Sequence, residues 1–225
     1  MTVDVMKSKK IKAVIFDMDG VIVDSEPIES LSLEKLLRKY GKTPQYNKEG
    51  LIHTVGLAGE TYKQVSKKYN LKEDIEVLKK IKRKIFRDLV EKKLTVIPGF
   101  IDLVRMLKEE KMKIALASNR FVDLVFFMLN KIKAKDLFDV IVGASDEIKP
   151  KPSPDIYLQV ARELKIKPAD CVALEDAETG IVAAKKAGMK VIAIPNKYTK
   201  SHNFAKADKI VKSLSDVTPE LLQSL

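Results

Sequence analysis

The most constraining feature of the sequence is a short apolar run that stops abruptly at two carboxylates. Residues 13–16 are all apolar and predict a buried strand. Asp17 and Asp19 follow at once, and Gly20 comes directly after them. Because carboxylates are costly to bury without partners, we expect both acids at the carboxyl end of a central strand, where open α/β sheets bind ligands. We expect the chain to bend at Gly20, since glycine adopts backbone conformations that other residues avoid.

Two acids at this spacing suit two chemical tasks. They can supply the oxygen ligands that a hard divalent cation such as Mg2+ prefers. They can also divide the work of catalysis, with one ionised carboxylate attacking while the other keeps a proton for a leaving group. A pair of solvated loop acids is the competing interpretation, and the pair alone does not decide between these possibilities.

The composition indicates a globular protein without an obvious polymer or membrane partner. Apolar residues make up 45% of the 225 residues, which is ample for a hydrophobic core. The formal charge of +11 comes from lysines that are spread along the chain among acidic residues. This pattern favours a solvated surface over a nucleic-acid site, so we expect no nucleic-acid partner.

The cellular location is predicted from what the sequence does not contain. No apolar stretch approaches the roughly 20 residues that span a membrane. Residues 1–12 carry no apolar segment of the signal-peptide kind. The single cysteine, Cys171, permits no disulfide within the chain, and we expect it to pack in the core. A cytoplasmic protein with no membrane association is therefore expected.

The order of the patterns predicts two domains. Residues 26–96 contain three helical patterns and no convincing strand, and His53, in a loop of this segment, is expected to pack or cap locally. From residue 97 onward helix and strand alternate, which is typical of a parallel sheet. We therefore predict a doubly wound α/β core from residues 1–25 and 97–225, with residues 26–96 inserted as a helical domain. The predicted strands cover residues 12–16, 113–117, 138–142, 171–174, 190–194 and 209–211.

Three of the predicted strands end in polar residues of complementary type. These are Asp17 and Asp19, then Ser118 and Asn119, then Glu175 and Asp176, with Lys151 on a proline-rich loop between the last two strands. In a parallel sheet all these ends lie at one edge. Carboxylates for a cation, a hydroxyl donor and a fixed positive charge together predict a site for a phosphoryl group.

These residues also match four motifs of a known family. The motifs are Asp17-Met18-Asp19-Gly20-Val21, Ser118, Lys151-Pro152-Ser153-Pro154-Asp155, and Glu175-Asp176 with Gly180-Ile181. The chain resembles the haloacid dehalogenase (HAD) superfamily of phosphohydrolases, in the branch that includes β-phosphoglucomutase-like phosphatases. The resemblance covers nearly the whole chain and implies a Rossmann-like core, with the inserted helices forming a cap over the site.

The resemblance also implies the central roles. Asp17 is expected to be the nucleophile that forms an aspartyl-phosphate, and Asp19 the general acid and base. Mg2+ is expected to bind Asp17, the backbone carbonyl of Asp19, and Asp176. Glu175 would be a further ligand, directly or through water, although it could instead serve to orient other groups.

The remaining site residues would act on the phosphate or on the rest of the substrate. Ser118 and Asn119 are expected to hydrogen-bond phosphate oxygens, with a simple helix cap as the alternative for Ser118. Lys151 would neutralise charge on the nucleophile and the phosphoryl group, although Lys149 also precedes a proline and competes for this role. Arg120 could contact the distal part of the substrate or could be a surface arginine.

Two departures from the mutase pattern favour simple hydrolysis. Mutases of this branch carry a histidine where this chain has Glu29, and an arginine in the cap loop where Gly59 matches best. We therefore expect a Mg2+-dependent phosphatase of a small phosphorylated metabolite, such as a sugar phosphate, acting as a monomer. A phosphosugar mutase is the alternative. A non-enzymatic phospho-acceptor of the receiver type is disfavoured, because receivers lack the large insert and the proline-rich lysine loop.

Overall fold

The structure is a computed structural model that describes residues 11–46 and 59–225, and the side chains of residues 59–61 lie outside that description. The prediction that His53 packs or caps locally lies outside the described residues. Most of residues 1–12, where we expect no signal peptide, also lies outside the described residues. The described residues divide into two compact units, one formed by the chain up to Val23 and from Val96 onward, the other by Asp24–Thr95.

The first unit is built on one sheet of six parallel strands, in the order β3-β2-β1-β4-β5-β6. The strands are β1 Ala13–Phe16, β2 Lys113–Phe121, β3 Val140–Ala144, β4 Cys171–Glu175, β5 Lys190–Ala193 and β6 Lys209–Ile210. The chain order reverses at β1, which pairs with β2 on one side and β4 on the other. The predicted doubly wound parallel sheet is confirmed, and its switch point is where such sheets bind ligands.

The described residues also form eight α-helices. They are α1 Glu26–Lys39, α2 Gly59–Tyr69, α3 Ile75–Lys93, α4 Phe100–Glu109, α5 Val122–Lys131, α6 Asp155–Leu164, α7 Glu178–Lys186 and α8 Pro219–Gln223. None of the helices in residues 11–46 and 59–225 combines the length and the apolarity that crossing a bilayer requires.

Strand β1 forms the centre of the core because all four of its side chains are apolar and fully buried. One face packs Ile15 against apolar residues of α6 and α7, including Tyr157 and Ile181. On the other face the ring of Phe16 meets the ring of Phe100 from α4 at a centroid distance of 5.6 Å. Burial on both faces fixes the position of the strand and therefore the position of Asp17, which follows its carboxyl end.

Two strands differ from their predicted bounds for identifiable reasons. Strand β2 continues past Ala117 to Phe121, because after a register shift Phe121 pairs with Ala144 of β3. Strand β3 begins at Val140 instead of residue 138, because a short 3-10 turn precedes it and the ring of Phe138 packs against Phe16. Both shifts move strand ends by only a few residues.

The second unit is helical, with α1, α2 and α3 packed around a small apolar cluster that includes Leu33, Leu37 and Leu78. The ammonium of Lys82 on α3 forms an ion pair with the carboxylate of Glu29 on α1. Lys82 is 6% exposed, and a lysine at this depth requires such a partner. Glu29 therefore ties two helices of this unit together.

Candidate active site

Three carboxylates converge at the carboxyl ends of β1 and β4. Leu174 lies beside Phe16 in the parallel register, and the Asp17 amide donates to the Leu174 carbonyl at 3.0 Å. This pairing sets Asp17 next to Glu175 and Asp176, and ligand oxygens of the three acids lie within 4.8 Å of one another. All three side chains belong to the buried part of the molecule.

Lys151 is the cation at the centre of this cluster. Its ammonium lies 2.5 Å from Asp17 Oδ1, 2.6 Å from Glu175 Oε1 and 2.9 Å from the carbonyl oxygen of Ala117. A lysine ammonium has three N–H donors, so these three acceptors use its full capacity. Lys149 is exposed, and the structure therefore brings Lys151 to the acids.

Two glycines make room for the acids. A Cβ added at Gly180 would lie 2.0 Å from the carboxylate of Glu175. One added at Gly20 would lie 2.2 Å from Asp176 Oδ2. Gly20 also has a φ of +79°, which confirms the predicted bend after Asp19. Both motif glycines are thus required by the close approach of a carboxylate.

The environment of the cluster raises the pKa of two of its three acids. Burial is the main cause that raises the pKa of Asp17 to about 7; Lys151 opposes this effect, while Glu175 and Asp19 add to it. Burial, followed by the charges of Asp17 and Glu175, raises the pKa of Asp176 well above its usual range. A divalent cation beside these acids would favour their ionised forms and so oppose both shifts.

The hydrogen bonds of the cluster also leave oxygens for such a cation. Side-chain donors reach Asp17 Oδ1, Glu175 Oε1 and Asp176 Oδ2. The second oxygen of each carboxylate receives no side-chain hydrogen bond from the part of the chain that the structure describes. Hard divalent cations bind such carboxylate oxygens, so the residues present fit a divalent metal.

Asp19 lies outside the three-acid cluster and contacts a different cation. The Nε of Arg120 donates to both carboxylate oxygens of Asp19, at 2.9 and 2.7 Å. The side chain of Arg120 is 15% exposed and that of Asp19 is 34% exposed. Arg120 is therefore not a solvated surface arginine, because its guanidinium forms an ion pair with Asp19.

Ser118 and Asn119 follow the apolar part of β2 and reach the same edge. The Ser118 hydroxyl oxygen accepts from the Arg120 amide at 3.1 Å, which leaves its O–H able to donate elsewhere. It is not the cap of α5, since Phe121 occupies the N-cap position of that helix. The Asn119 side chain accepts from the Lys151 amide at 2.8 Å and so fixes the loop that carries the lysine.

The sequence alone does not identify two further side chains of the site. The Tyr157 hydroxyl on α6 donates to Glu175 Oε1, and the Asn196 amide after β5 donates to Asp176 Oδ2 at 2.7 Å. Burial, followed by the neighbouring charge of Glu175, raises the pKa of Tyr157 well above its usual range, which keeps the hydroxyl protonated. Asn196 could have been suspected, because it follows a parallel strand at its carboxyl end.

Known proteins that are similar to this chain identify its family. Residues 14–194 match the family of haloacid dehalogenase-like hydrolases. The chain is 30% identical to hexitol phosphatase B of Escherichia coli (strain K12), over 93% of this chain and 96% of the relative. It is 33% identical to beta-phosphoglucomutase of Bacillus subtilis (strain 168), over 94% of this chain and 93% of the relative.

A solved structure extends the similarity to three dimensions. CbbY from Rhodobacter sphaeroides, crystallised in complex with phosphate, matches with a TM-score of 0.76 and 28% sequence identity. The match covers 92% of this chain and 96% of CbbY. The chain therefore belongs to the haloacid dehalogenase-like hydrolase family and is a phosphoric monoester hydrolase of that family.

Proposed function

We propose that this protein is a Mg2+-dependent phosphatase that hydrolyses a small phosphorylated metabolite of the sugar-phosphate type through an aspartyl-phosphate on Asp17. One observation carries the proposal. Asp17 stands at the carboxyl end of the central strand, 2.5 Å from the Lys151 ammonium and beside two further carboxylates. A carboxylate that is ion-paired with a lysine and lies beside two further acids is suited to bind a cation and to meet a phosphate next to it.

The metal would be held by the acids already described. Asp17, Asp176 and the backbone carbonyl of Asp19 are the proposed ligands, with Glu175 binding directly or through water. When bound, Mg2+ supplies charge neutralisation between the anionic nucleophile and the phosphate dianion. The convergence of the three carboxylates and the raised pKa of Asp17, to about 7, support this assignment, because a bound cation would offset the repulsion between the acids.

The chemistry proceeds in two displacements at phosphorus. A carboxylate oxygen of Asp17 forms a bond to phosphorus while the bond to the ester oxygen breaks, and Asp19 gives its proton to the departing alcohol. Asp19, now ionised, takes a proton from a water molecule. That water attacks phosphorus, breaks the acyl-phosphate bond and releases inorganic phosphate, which returns Asp17 to its starting form.

The neighbouring residues bind and orient. The Ser118 hydroxyl, free to donate, would hydrogen-bond a phosphate oxygen. Lys151 holds Asp17 through Oδ1 and offsets charge on the incoming phosphoryl group. Asn119 contributes to phosphate binding by fixing the Lys151 loop, and Arg120 positions Asp19 and could reach the distal part of the substrate.

The helical unit of residues 24–95 is proposed to be the cap that excludes water and selects the substrate. Hexitol phosphatase B, similar along nearly its whole length, supports a sugar-type leaving group. The single cysteine, which is buried, supports action in a reducing compartment such as the cytoplasm, and we propose a monomer there.

The second candidate is a phosphosugar mutase, favoured by the 33% identity to beta-phosphoglucomutase. A mutase must hold a second phosphate while the first is transferred, which requires an additional cation near the substrate. This chain has Glu29 and Gly59 where the mutases have a histidine and an arginine, and Glu29 is paired with Lys82. Hydrolysis is therefore the better-supported proposal.

A panel of phosphorylated metabolites tests the proposed function. The purified protein with Mg2+ should release inorganic phosphate from one or more sugar or polyol phosphates, and chelation should stop the release until Mg2+ is restored. β-Glucose 1-phosphate, with and without a bisphosphate primer, tests the mutase alternative. Primer-dependent isomerisation without net phosphate release would overturn hydrolysis, and turnover by Asp17→Asn would overturn the assigned nucleophile.

A further inference from the structure

The carboxylate of Glu175 accepts hydrogen bonds from two side chains, Lys151 on a loop and Tyr157 on α6. Its Oε1 accepts from the Lys151 ammonium at 2.6 Å and from the Tyr157 hydroxyl. Gly180 lies against the same carboxylate, which is why a Cβ there would lie 2.0 Å away. Glu175 is 1% exposed, so its carboxylate has little freedom beyond what these contacts allow.

Tyr157 contacts the lysine as well as the glutamate. The Lys151 ammonium lies 4.9 Å from the centroid of the Tyr157 ring, within the range of a cation–π interaction. Tyr157 is fully buried on α6, in the apolar cluster beneath the sheet. The rigid side chain of Tyr157 therefore contacts both groups that flank Asp17, which are Glu175 and Lys151. It does so from α6, which carries none of the three clustered acids.

Both contacts of Tyr157 affect the position of the Lys151 ammonium beside Asp17. Lys151 uses all three donors on Asp17, Glu175 and Ala117, so a shift of the Glu175 carboxylate also displaces the ammonium from Asp17. Without the hydroxyl, Glu175 Oε1 would keep only the lysine as its side-chain partner among the described residues. Side chains that orient metal-binding or reacting carboxylates in this way affect affinity and rate without touching the substrate.

We propose that Tyr157 is a positioning residue of this phosphatase, whose hydroxyl fixes Glu175 and, through it, the Lys151–Asp17 contact and the arrangement of the metal-binding acids. The inference rests on the proposed function, because it assumes that the acid cluster binds Mg2+ and that Asp17 reacts. A purely structural role, a buried hydroxyl satisfied by the nearest acceptor, is the alternative that the experiment must separate.

The test replaces Tyr157 with phenylalanine, which keeps the ring and removes only the hydroxyl. We expect kcat for p-nitrophenyl phosphate to fall about tenfold and the Mg2+ concentration for half-maximal activity to rise by a similar factor, while KM changes by less than about twofold. Titration calorimetry of Mg2+ binding without substrate should show the same loss of affinity. Thr218→Val, which removes a hydroxyl that accepts from the Leu221 amide at the start of α8, is the control and should change none of these values.

The outcomes distinguish the inference from the function on which it depends. If wild type turns over substrate and Tyr157→Phe melts at a lower temperature with unchanged kcat and Mg2+ affinity, Tyr157 is only structural and the inference is wrong. If wild type itself neither binds Mg2+ nor releases phosphate, the proposed function fails first. Should Tyr157→Phe not fold, Tyr157→Leu, which also lacks a hydrogen-bond donor, provides the second variant, and retained Mg2+ affinity in a folded variant without a donor contradicts the inference.

Discussion

Arg120 and Asp19 form an ion pair in which a single guanidinium nitrogen, Nε, lies 2.7 and 2.9 Å from the two carboxylate oxygens. The contact joins the end of β2 to the turn after β1, and it fixes the side chain proposed to give and take the proton. Because Asp19 is separate from the acids around Lys151, the site has two carboxylate environments with different partners. Enzymes assign different roles to neighbouring acids through such differences.

Replacing Arg120 with glutamine should therefore slow proton transfer more than phosphate binding. We expect kcat for a hexitol phosphate, whose alcohol must be protonated as it leaves, to fall about tenfold. The fall with p-nitrophenyl phosphate should be smaller, because that leaving group needs little help from an acid. Arg120→Lys, which keeps the charge, should restore part of the rate. Equal losses on both substrates in steady-state assays would contradict the assigned role.

Gly180→Ala is expected to destabilise the protein although it improves helix propensity. In an unhindered helix this change would stabilise by roughly 0.5–1 kcal/mol. Here the new Cβ would lie 2.0 Å from the Glu175 carboxylate, which two hydrogen bonds hold in place. We expect a lower melting temperature and a lower kcat together. A more stable variant with unchanged kcat would mean that the carboxylate moves aside freely.

The raised pKa of Asp17 predicts how stability depends on pH when the metal is removed. The native state binds the proton with a pKa of about 7, whereas the ordinary value for an aspartate is 3.8, so the stabilisation is complete below about pH 4 and is lost as the pH rises through 7. Asp176 shifts in the same direction. The free energy of unfolding of the chelated protein should therefore fall between these values. Mg2+ should raise it more at about pH 8 than at about pH 5, because ionised carboxylates bind the cation.

Asp17→Asn provides the matched control for this pH dependence. The amide has a similar shape but does not titrate, so the unfolding free energy of the chelated variant should fall less steeply with pH. Denaturant titrations of both proteins at several pH values give the comparison. Parallel curves for wild type and variant would show that Asp17 does not carry the proton in the native state.

Much of the site could be predicted because its residues follow directly from strand ends. Asp17 and Glu175 terminate two adjacent apolar strands, and the parallel register then determines that they meet. Lys151 could be chosen over Lys149 because it fits the lysine motif of the family that the chain resembles, and the buried ion pair with Asp17 agrees with that choice. For the two acids, sequence pattern and topology specify the contact without any detail of side-chain packing.

Tyr157 could not be predicted in the same way, because its contact depends on how α6 packs against the sheet. On a helical pattern it belongs with Ile156 and Val160 on the buried face, where a tyrosine is normally a core residue. Asn196 depends on the path of the turn after β5, where Tyr198 and Thr199 bond to it. The sequence predicts the end of β2 too early, at residue 117, because the register shift before Phe121 leaves no periodic signal.

The proposed mechanism requires that Asp17 carries the phosphoryl group during turnover. The most direct measurement is peptide mass spectrometry of enzyme quenched in acid while it turns over a good substrate with Mg2+, since acyl-phosphates survive longer in acid than at neutral pH. We expect one added phosphoryl group on the peptide that contains Asp17, and none in Asp17→Asn. Rapid turnover with that peptide unmodified, or a phosphoryl group found on another residue, would contradict it.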